Sequence, residues 1–182
     1  MAEFFDHIPE NLQRFIAEQK MFFIATAASR GRISLSPKGM DSFRCLGAHQ
    51  AAYLDLIGSG NETAAYLQAD GRATIMFCSF GPKPLILRLY AKGRAVGRGT
   101  PEWRDLIGRF VEIPGARQIL LFDIESVQTS CGYAVPEFDL KSERQTLVKW
   151  TENKTEAELQ DYLRKKNMVS IDGFDTGIKL EP

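Results

Sequence analysis

The chain has 182 residues, a length that one hydrophobic core can fill, so we expect about one domain. Lys plus Arg and Asp plus Glu both total 23, and this charge balance argues against a broad nucleic-acid-binding surface. No apolar run approaches the roughly 20 residues that span a bilayer, so we expect no membrane insertion.

The cysteine and histidine content points to a reducing compartment and to no metal centre. Cys45, Cys78 and Cys131 include no CxxC pair, which favours free thiols. His7 and His49 are far apart in the sequence, which disfavours a histidine-rich metal site. The amino end carries acidic residues before any long apolar run, unlike a secretory signal, so we expect a cytoplasmic protein.

The first elements along the chain are a predicted helix and a predicted β-hairpin. Residues 9–19 carry an apolar stripe of helical spacing, and residues 21–28 form an apolar run typical of a buried strand. Gly31 can take the positive φ of a tight turn. Residues 32–36 alternate polar and apolar side chains, which indicates a half-buried strand.

Strands dominate the sequence from there to about residue 130. Apolar and β-branched runs bounded by turn residues predict strands over 42–46, 51–57, 72–79, 85–96 and 116–129. Helices are predicted over 62–69 and 101–110, and Gly93 is predicted to mark a bulge. This order predicts a mainly β (β+α) fold, a small antiparallel barrel of about six strands with flanking helices.

The composition changes after Cys131. Residues 139–150 and 155–166 are charged and predict two helices. We therefore divide the chain into a barrel domain, residues 1–130, and a helical C-terminal extension, residues 131–182. This extension would pack on the same domain or on a partner subunit.

Three polar side chains of the second predicted strand fall on one face. Ser34, Ser36 and Lys38 are two residues apart, and alternate residues of a strand point the same way. Hydroxyls with an ammonium group suit an anion such as a phosphate. The alternative is a solvated edge strand.

A second polar segment follows the strand over 51–57. Gly58-Ser59-Gly60-Asn61 leads into a predicted helix, and a helix N-terminus favours an anion. The segment matches neither GxGxxG nor a P-loop, so an ordinary helix start is the alternative. Arg88 lies in an apolar strand, where its charge requires a partner or a ligand unless the side chain points outward. No Ser-His-Asp, Cys-His or paired-carboxylate arrangement is evident.

Taken together, three segments resemble the pyridoxamine 5′-phosphate oxidase-like family of flavin-binding split barrels: FFIATAASRGRISLSPKGM, AAYLDLIGSGNETAAYLQADGRATIMFCSF and ILRLYAKGRAV. The resemblance covers about residues 8–130. It implies a split barrel, a homodimer, and FMN bound in two equivalent clefts at the subunit interface.

The resemblance also implies which residues contact the cofactor, in three groups. Along the flavin and ribityl chain it places Ser34, Ser36, Pro37 and Lys38; near the phosphate or its loop Asp55, Ser59, Asn61 and Glu62; and approaching the cleft Ser79, Phe80 and Arg88. Many relatives carry Arg or Lys where this chain has Asn61. This sequence also ends in Gly177-Ile178-Lys179-Leu180-Glu181-Pro182 instead of the Arg-Leu-x-Pro tail of the true oxidases, so we do not expect vitamin B6 oxidation.

The function implied is that of an FMN-dependent oxidoreductase acting on a small unknown substrate. Since a flavin carries the redox chemistry, the absence of an acid–base set is expected, and we assign no catalytic residue. One alternative is a non-catalytic flavin-binding dimer. Another is a split barrel that uses deazaflavin or haem, with His7 or His49 as the axial ligand of the haem.

Overall fold

The computed structural model describes residues 2–180, and these form one antiparallel sheet with five helices. In chain order the elements are β1 (Glu3–Phe5), α1 (Glu10–Glu18), β2 (Phe22–Ala27), β3 (Ile33–Lys38), β4 (Phe43–Cys45), β5 (Gln50–Leu56), α2 (Glu62–Ala69), β6 (Arg72–Cys78), β7 (Ile86–Gly97), α3 (Pro101–Ile107), β8 (Ala116–Ser130), α4 (Thr146–Glu152) and α5 (Glu156–Lys166).

The strands pair in the order β3-β2-β6-β7-β8-β5-β4, and β1 pairs with β8 outside this path. Every pairing is antiparallel. The sheet curls into a half-barrel, which confirms the predicted mainly β split-barrel fold; it has eight strands, seven of which match the seven strand segments predicted along the chain, whereas the barrel was expected to have six. The strand that prediction missed, β1, has only three residues, and its pairing with β8 spans more than a hundred positions.

One face of the sheet forms the main core, and a second apolar cluster lies on the other face of β5 and β8. Phe22 and Ile24 of β2 alternate with half-buried neighbours, as a strand with one buried face requires. Leu12 and Ile16 of α1, at the spacing of one helical turn, pack against the same core. Helix α2 adds Leu67 to this core, and its fully buried Tyr66 lies in a separate small cluster.

Two predicted local features were wrong. Residues 139–145 are not helical, and α4 begins only at Thr146, because the segment from Lys141 to Gln145 offers no apolar stripe to bury. The bulge lies between Tyr90 and Ala91, not at Gly93. A Cβ at Gly93 would come within 2.6 Å of the Phe122 ring, so close packing explains that glycine.

Smaller differences concern helix ends and the carboxyl-terminal part. Helix α3 ends at Ile107, three residues before the prediction, with Gly108 at its C-cap. Residues 131–145 contain neither helix nor strand, and we call them the arm. The division at residue 130 stays a prediction.

None of the helices between residues 2 and 180 is both long and apolar enough to span a membrane.

Candidate functional site

Ser34, Ser36 and Lys38 share one face of β3, as predicted, and all three are half-buried. In the β2–β3 ladder Ser34 lies opposite Thr26, and Lys38 lies opposite Phe22. Within residues 2–180, none of the three side chains forms a hydrogen bond or an ion pair. Their hydroxyls and ammonium group are therefore free to meet a ligand.

A buried hydroxyl next to this row also lacks a partner. Thr26 is 3% exposed, and its Oγ1 has no hydrogen-bond partner among the described residues. A buried polar atom without a partner costs about 1–3 kcal/mol and calls for an explanation. Its position across from Ser34 extends the polar row one strand inward.

Arg88 lies on the opposite, outward face of the sheet. The register connects Pro37, Phe23, Met76 and Arg88 as successive cross-strand neighbours, so their side chains share that face. Arg88 Nη1 donates to Ser130 Oγ at 3.1 Å. The outward alternative for Arg88 is therefore the one observed, and β3 presents Pro37 and Lys38 to different sides.

The carboxylate of Asp55 is occupied by a buried ion pair. Arg117 Nε lies 2.7 Å from Asp55 Oδ2, and each side chain is 4% exposed. Gln118 Nε2 donates to the same oxygen at 2.8 Å. Burial by itself would lower the pKa of Arg117, but the charge and hydrogen bonds of Asp55 outweigh it, so the pKa is raised. Asp55 thus holds the end of β5 in place.

The turn after β5 is held from the carboxyl-terminal side of the chain. Arg117 Nη2 donates to Gly60 O, and Asn167 Nδ2 donates to Gly58 O at 2.9 Å. Arg117 Nη1 donates to Asn167 Oδ1 at 2.8 Å, which joins this network to the ion pair. Two carbonyls of the turn are therefore directed at buried donors.

The remaining predicted residues of the turn differ in how they are engaged. Asn61 is the N-cap residue of α2, but its side chain makes no capping hydrogen bond: its Nδ2 donates to Val169 O at 2.9 Å and to Lys166 O at 3.3 Å. Glu62 Oε2 accepts from the Asn61 amide at 3.2 Å. Ser59 is exposed and makes no hydrogen bond within residues 2–180. Of these three side chains, only that of Ser59 is unengaged.

Residues 167–176, which we call the C-terminal strap, contact the 58–61 turn at one end and the β2–β3 hairpin further along. Asp172 accepts hydrogen bonds from Tyr66 Oη at 2.6 Å, from the Arg32 amide at 2.7 Å, and from Arg32 Nη1. The hydrogen bonds from Tyr66 and Arg32 lower the pKa of Asp172. Burial, together with the bond to Asp172, raises the pKa of Tyr66 to about 12. Gly31 has φ +87°, as predicted, and a Cβ there would lie 2.6 Å from Asp172 Oδ2.

A cavity of about 950 Å³ lies between the arm and the ends of β2, β3 and β6. Pro37, Lys38 and Phe80 line it, together with Phe138 of the arm. The Phe80 and Phe138 ring centroids are 5.5 Å apart, and the Phe138 amide donates to Phe80 O at 2.9 Å. Ser79 is turned away into its own turn, where its Oγ accepts from the Gly81 amide at 3.3 Å.

The structure thus brings together only part of the predicted site. Pro37, Lys38 and Phe80 meet at the cavity, whereas the lining found among residues 2–180 includes no residue of the 58–61 turn. Sequence reasoning missed Arg117 and Asp172, which organise that turn and the hairpin. Arg117 could have been noticed as a charge inside an apolar strand, but nothing local marked Asp172.

The two histidines are close in space, contrary to what their separation in sequence indicated. Their ring centroids are 5.9 Å apart, and His7 Nδ1 lies 2.6 Å from Asp6 Oδ1. No group of three or more potential metal ligands occurs in the described part of the chain. All three cysteines are free, with Cys78 buried and Cys131 exposed.

Comparison with solved structures identifies proteins of the same fold. A variant of HupZ from Group A Streptococcus superposes with a TM-score of 0.54 at 17% identity, over 68% of this chain and 99% of that one. A putative pyridoxamine 5′-phosphate oxidase from Lactobacillus delbrueckii also gives 0.54 at 17% identity, over 68% and 94%. A FAD-binding protein from Mesorhizobium loti gives 0.51 at 7% identity, over 71% and 99%.

Sequence comparison is more specific. The pyridoxamine 5′-phosphate oxidase family profile matches residues 8–131. The pyridoxamine 5′-phosphate oxidase family protein ustO of Aspergillus flavus is 35% identical over 194 residues, covering 96% of this chain and 77% of that protein. The profile spans more than half of the chain and the Aspergillus relative aligns along nearly all of it, and on these grounds the chain belongs to the pyridoxamine 5′-phosphate oxidase family.

Proposed function

We propose that this protein binds FMN and transfers hydride or electrons between the flavin and a small substrate. Family membership supports a flavin, and the Mesorhizobium protein of the same fold is described as FAD-binding. The observation that carries the proposal is the unengaged polar row Ser34, Ser36 and Lys38 beside the unpartnered Thr26 hydroxyl. When bound, the flavin would supply the redox chemistry itself.

The residues present fit a flavin mononucleotide in their chemistry. Ser34 and Ser36 can donate to ribityl or phosphate oxygens, and Ser59 offers a further free hydroxyl. Lys38 would place its charge at the end of the row that opens into the cavity.

Of the proposed cofactor contacts, two have side chains already bound within the subunit and a third carries a negative charge. Asp55 and Asn61 have their side chains bound by Arg117 and by the strap, so we propose that they shape the phosphate loop without touching the phosphate. Glu62 places a carboxylate at the start of α2, which would oppose a phosphate. The β3 row would therefore supply most of the direct contacts.

We further propose a homodimer built on the outward face of the sheet. Ile33 and Leu35 of the edge strand are 75% and 66% exposed, and Phe4 at the other side of the same face is 66% exposed. A second copy would cover these side chains, and would bring Arg88 and Pro37 to a shared cleft.

The decisive experiment is a titration of the purified protein with FMN, followed by visible absorption and by quenching of flavin fluorescence. Saturable binding at micromolar or lower FMN, together with reduction of the bound flavin by NADH or NADPH, would support the proposal. Protein that leaves flavin fluorescence unchanged at millimolar FMN would refute it.

The alternatives give different readouts in the same preparation. Tight FMN binding without turnover by either nicotinamide donor would favour a non-catalytic flavin-binding dimer. Haem binding would produce a Soret band lost in His49→Ala, although neither histidine belongs to the lining of the 950 Å³ cavity within residues 2–180. Deazaflavin binding would show as competition with FMN.

A further inference from the structure

We propose that the cavity beneath the arm binds an uncharged or zwitterionic aromatic compound. The inference rests on the proposed function only in calling this compound the substrate. The chemistry of the cavity wall, described next, is independent of the flavin.

The size and wall of the cavity suit an apolar ring system. Its volume of about 950 Å³ is at the upper end of the range for ligand sites, about 300–1,000 Å³. Apolar side chains from β2, from the segments after β3 and β6, from the arm and from α4 line it: Phe23, Met40, Phe80, Phe138, Leu140 and Leu147. Aromatic walls favour aromatic ligands through stacked and edge-to-face contacts.

The apolar side chains that the arm contributes to the cavity wall are largely exposed to solvent, which is unfavourable when no ligand covers them. Phe138 is 65% exposed and Leu140 is 56% exposed, although both line the cavity. A ligand seated there would remove apolar area of both side chains from water. Phe138 is also fixed by its backbone hydrogen bond to Phe80, so the wall is formed before a ligand arrives.

The charges of the lining do not favour an anionic ligand. Three cationic and three acidic residues line the cavity: Lys20, Lys38, Arg144, Glu18, Asp139 and Glu143. None of the six is ion-paired within residues 2–180. A dianion would therefore meet as many negative as positive groups, whereas a zwitterion can meet one of each. Phosphorylated compounds should bind poorly.

The test is calorimetric titration of the FMN-saturated protein and of the FMN-free protein with indole, phenylalanine and phenyl phosphate. We expect indole or phenylalanine to bind, with phenyl phosphate about tenfold weaker. Phe138→Ala should weaken the binding of the aromatic probe by about tenfold, because the variant loses a ring of the wall.

Tyr133→Ala is the matched control, since Tyr133 lies on the same arm, is 83% exposed, and is not part of the lining. This control should leave affinity unchanged. Circular dichroism of each variant checks its folding, and Leu140→Ala replaces Phe138→Ala if the latter is unfolded. Tighter binding of phenyl phosphate, no binding of either other probe, or equal effects of Phe138→Ala and Tyr133→Ala would overturn the inference.

The flavin titration separates the two proposals. If FMN does not bind but indole does, with loss in Phe138→Ala, the aromatic site stands and the flavin assignment falls. If FMN binds and neither indole nor phenylalanine does, the flavin assignment stands and the aromatic site falls.

Discussion

The buried ion pair between Asp55 and Arg117 makes a quantitative prediction. In Asp55→Ala the Arg117 guanidinium, 4% exposed, loses its only acidic partner among the described residues, and Gln118 loses the acceptor of its side-chain amide. Removing one partner of a buried pair costs about 3–5 kcal/mol, because the remaining charge is left uncompensated. That is a large part of a typical total stability of about 5–15 kcal/mol.

The matched control is an exposed pair of the same chemistry. Arg94 Nη2 lies 2.5 Å from Glu102 Oε1, with side chains 54% and 44% exposed. Glu102→Ala should cost less than about 1 kcal/mol, because solvent screens the pair. Both pairs join a guanidinium to a carboxylate at hydrogen-bonding distance, so the comparison reports the effect of burial together with the additional hydrogen bond that Asp55 accepts from Gln118.

Urea and thermal unfolding followed by circular dichroism measure the difference. For a domain of this size each kcal/mol lowers Tm by about 2–4 °C, so Asp55→Ala should lose about 6–20 °C and Glu102→Ala no more than about 4 °C. The reasoning is wrong if the two variants lose equal stability. It is also wrong if Asp55→Ala abolishes FMN binding while its Tm stays that of the parent, since Asp55 would then act on the ligand directly.

Three further predictions concern the cofactor, the strap and the thiols. Lys38→Glu should weaken FMN binding in a fluorescence titration, because a carboxylate would face an anionic ligand. Lys149→Glu is the control: it makes the same change in net charge at an exposed residue of α4 and should leave FMN binding unchanged. Equal affinities of the two variants for FMN would mean that the β3 row does not contact the cofactor. Burial raises the pKa of Tyr66 from 10.0 to about 12, so the contribution of the neutral phenol to stability is fully present below pH 10 and is lost as the pH rises through 12. The urea unfolding midpoint of the unsubstituted protein should therefore fall over this pH range, and that of Tyr66→Phe should fall less steeply. Exposed Cys131 should react with a thiol reagent in the native protein at pH 8. Burial raises the pKa of the Cys45 thiol to about 11 and also raises that of the Cys78 thiol, so these two should react slowly. Rapid modification of more than one thiol per chain would contradict the described packing.

The sequence by itself determined most of the local structure. Strand alternation placed Ser34, Ser36 and Lys38 on one face because the two-residue period is a property of the extended backbone, and Gly31 was recognised because the turn needs a positive φ. The order of strands and helices was enough for a small antiparallel barrel, and the family resemblance of the sequence specified a split barrel. Residues 139–145 of the arm were mistaken for a helix because charged composition mimics a solvated helix when no packing partner is known.

Only the tertiary structure decided which polar groups are free. The sequence placed Asp55, Asn61 and Ser59 alike near the phosphate. In the structure Arg117 binds Asp55, the strap binds Asn61, and Ser59 makes no hydrogen bond within residues 2–180. Arg117 is 62 positions from Asp55, and Val169 is 108 from Asn61. Contacts over such separations depend on how the sheet curls and on where the chain returns. Local propensity carries no record of either, so the identity of the free groups had to come from the fold.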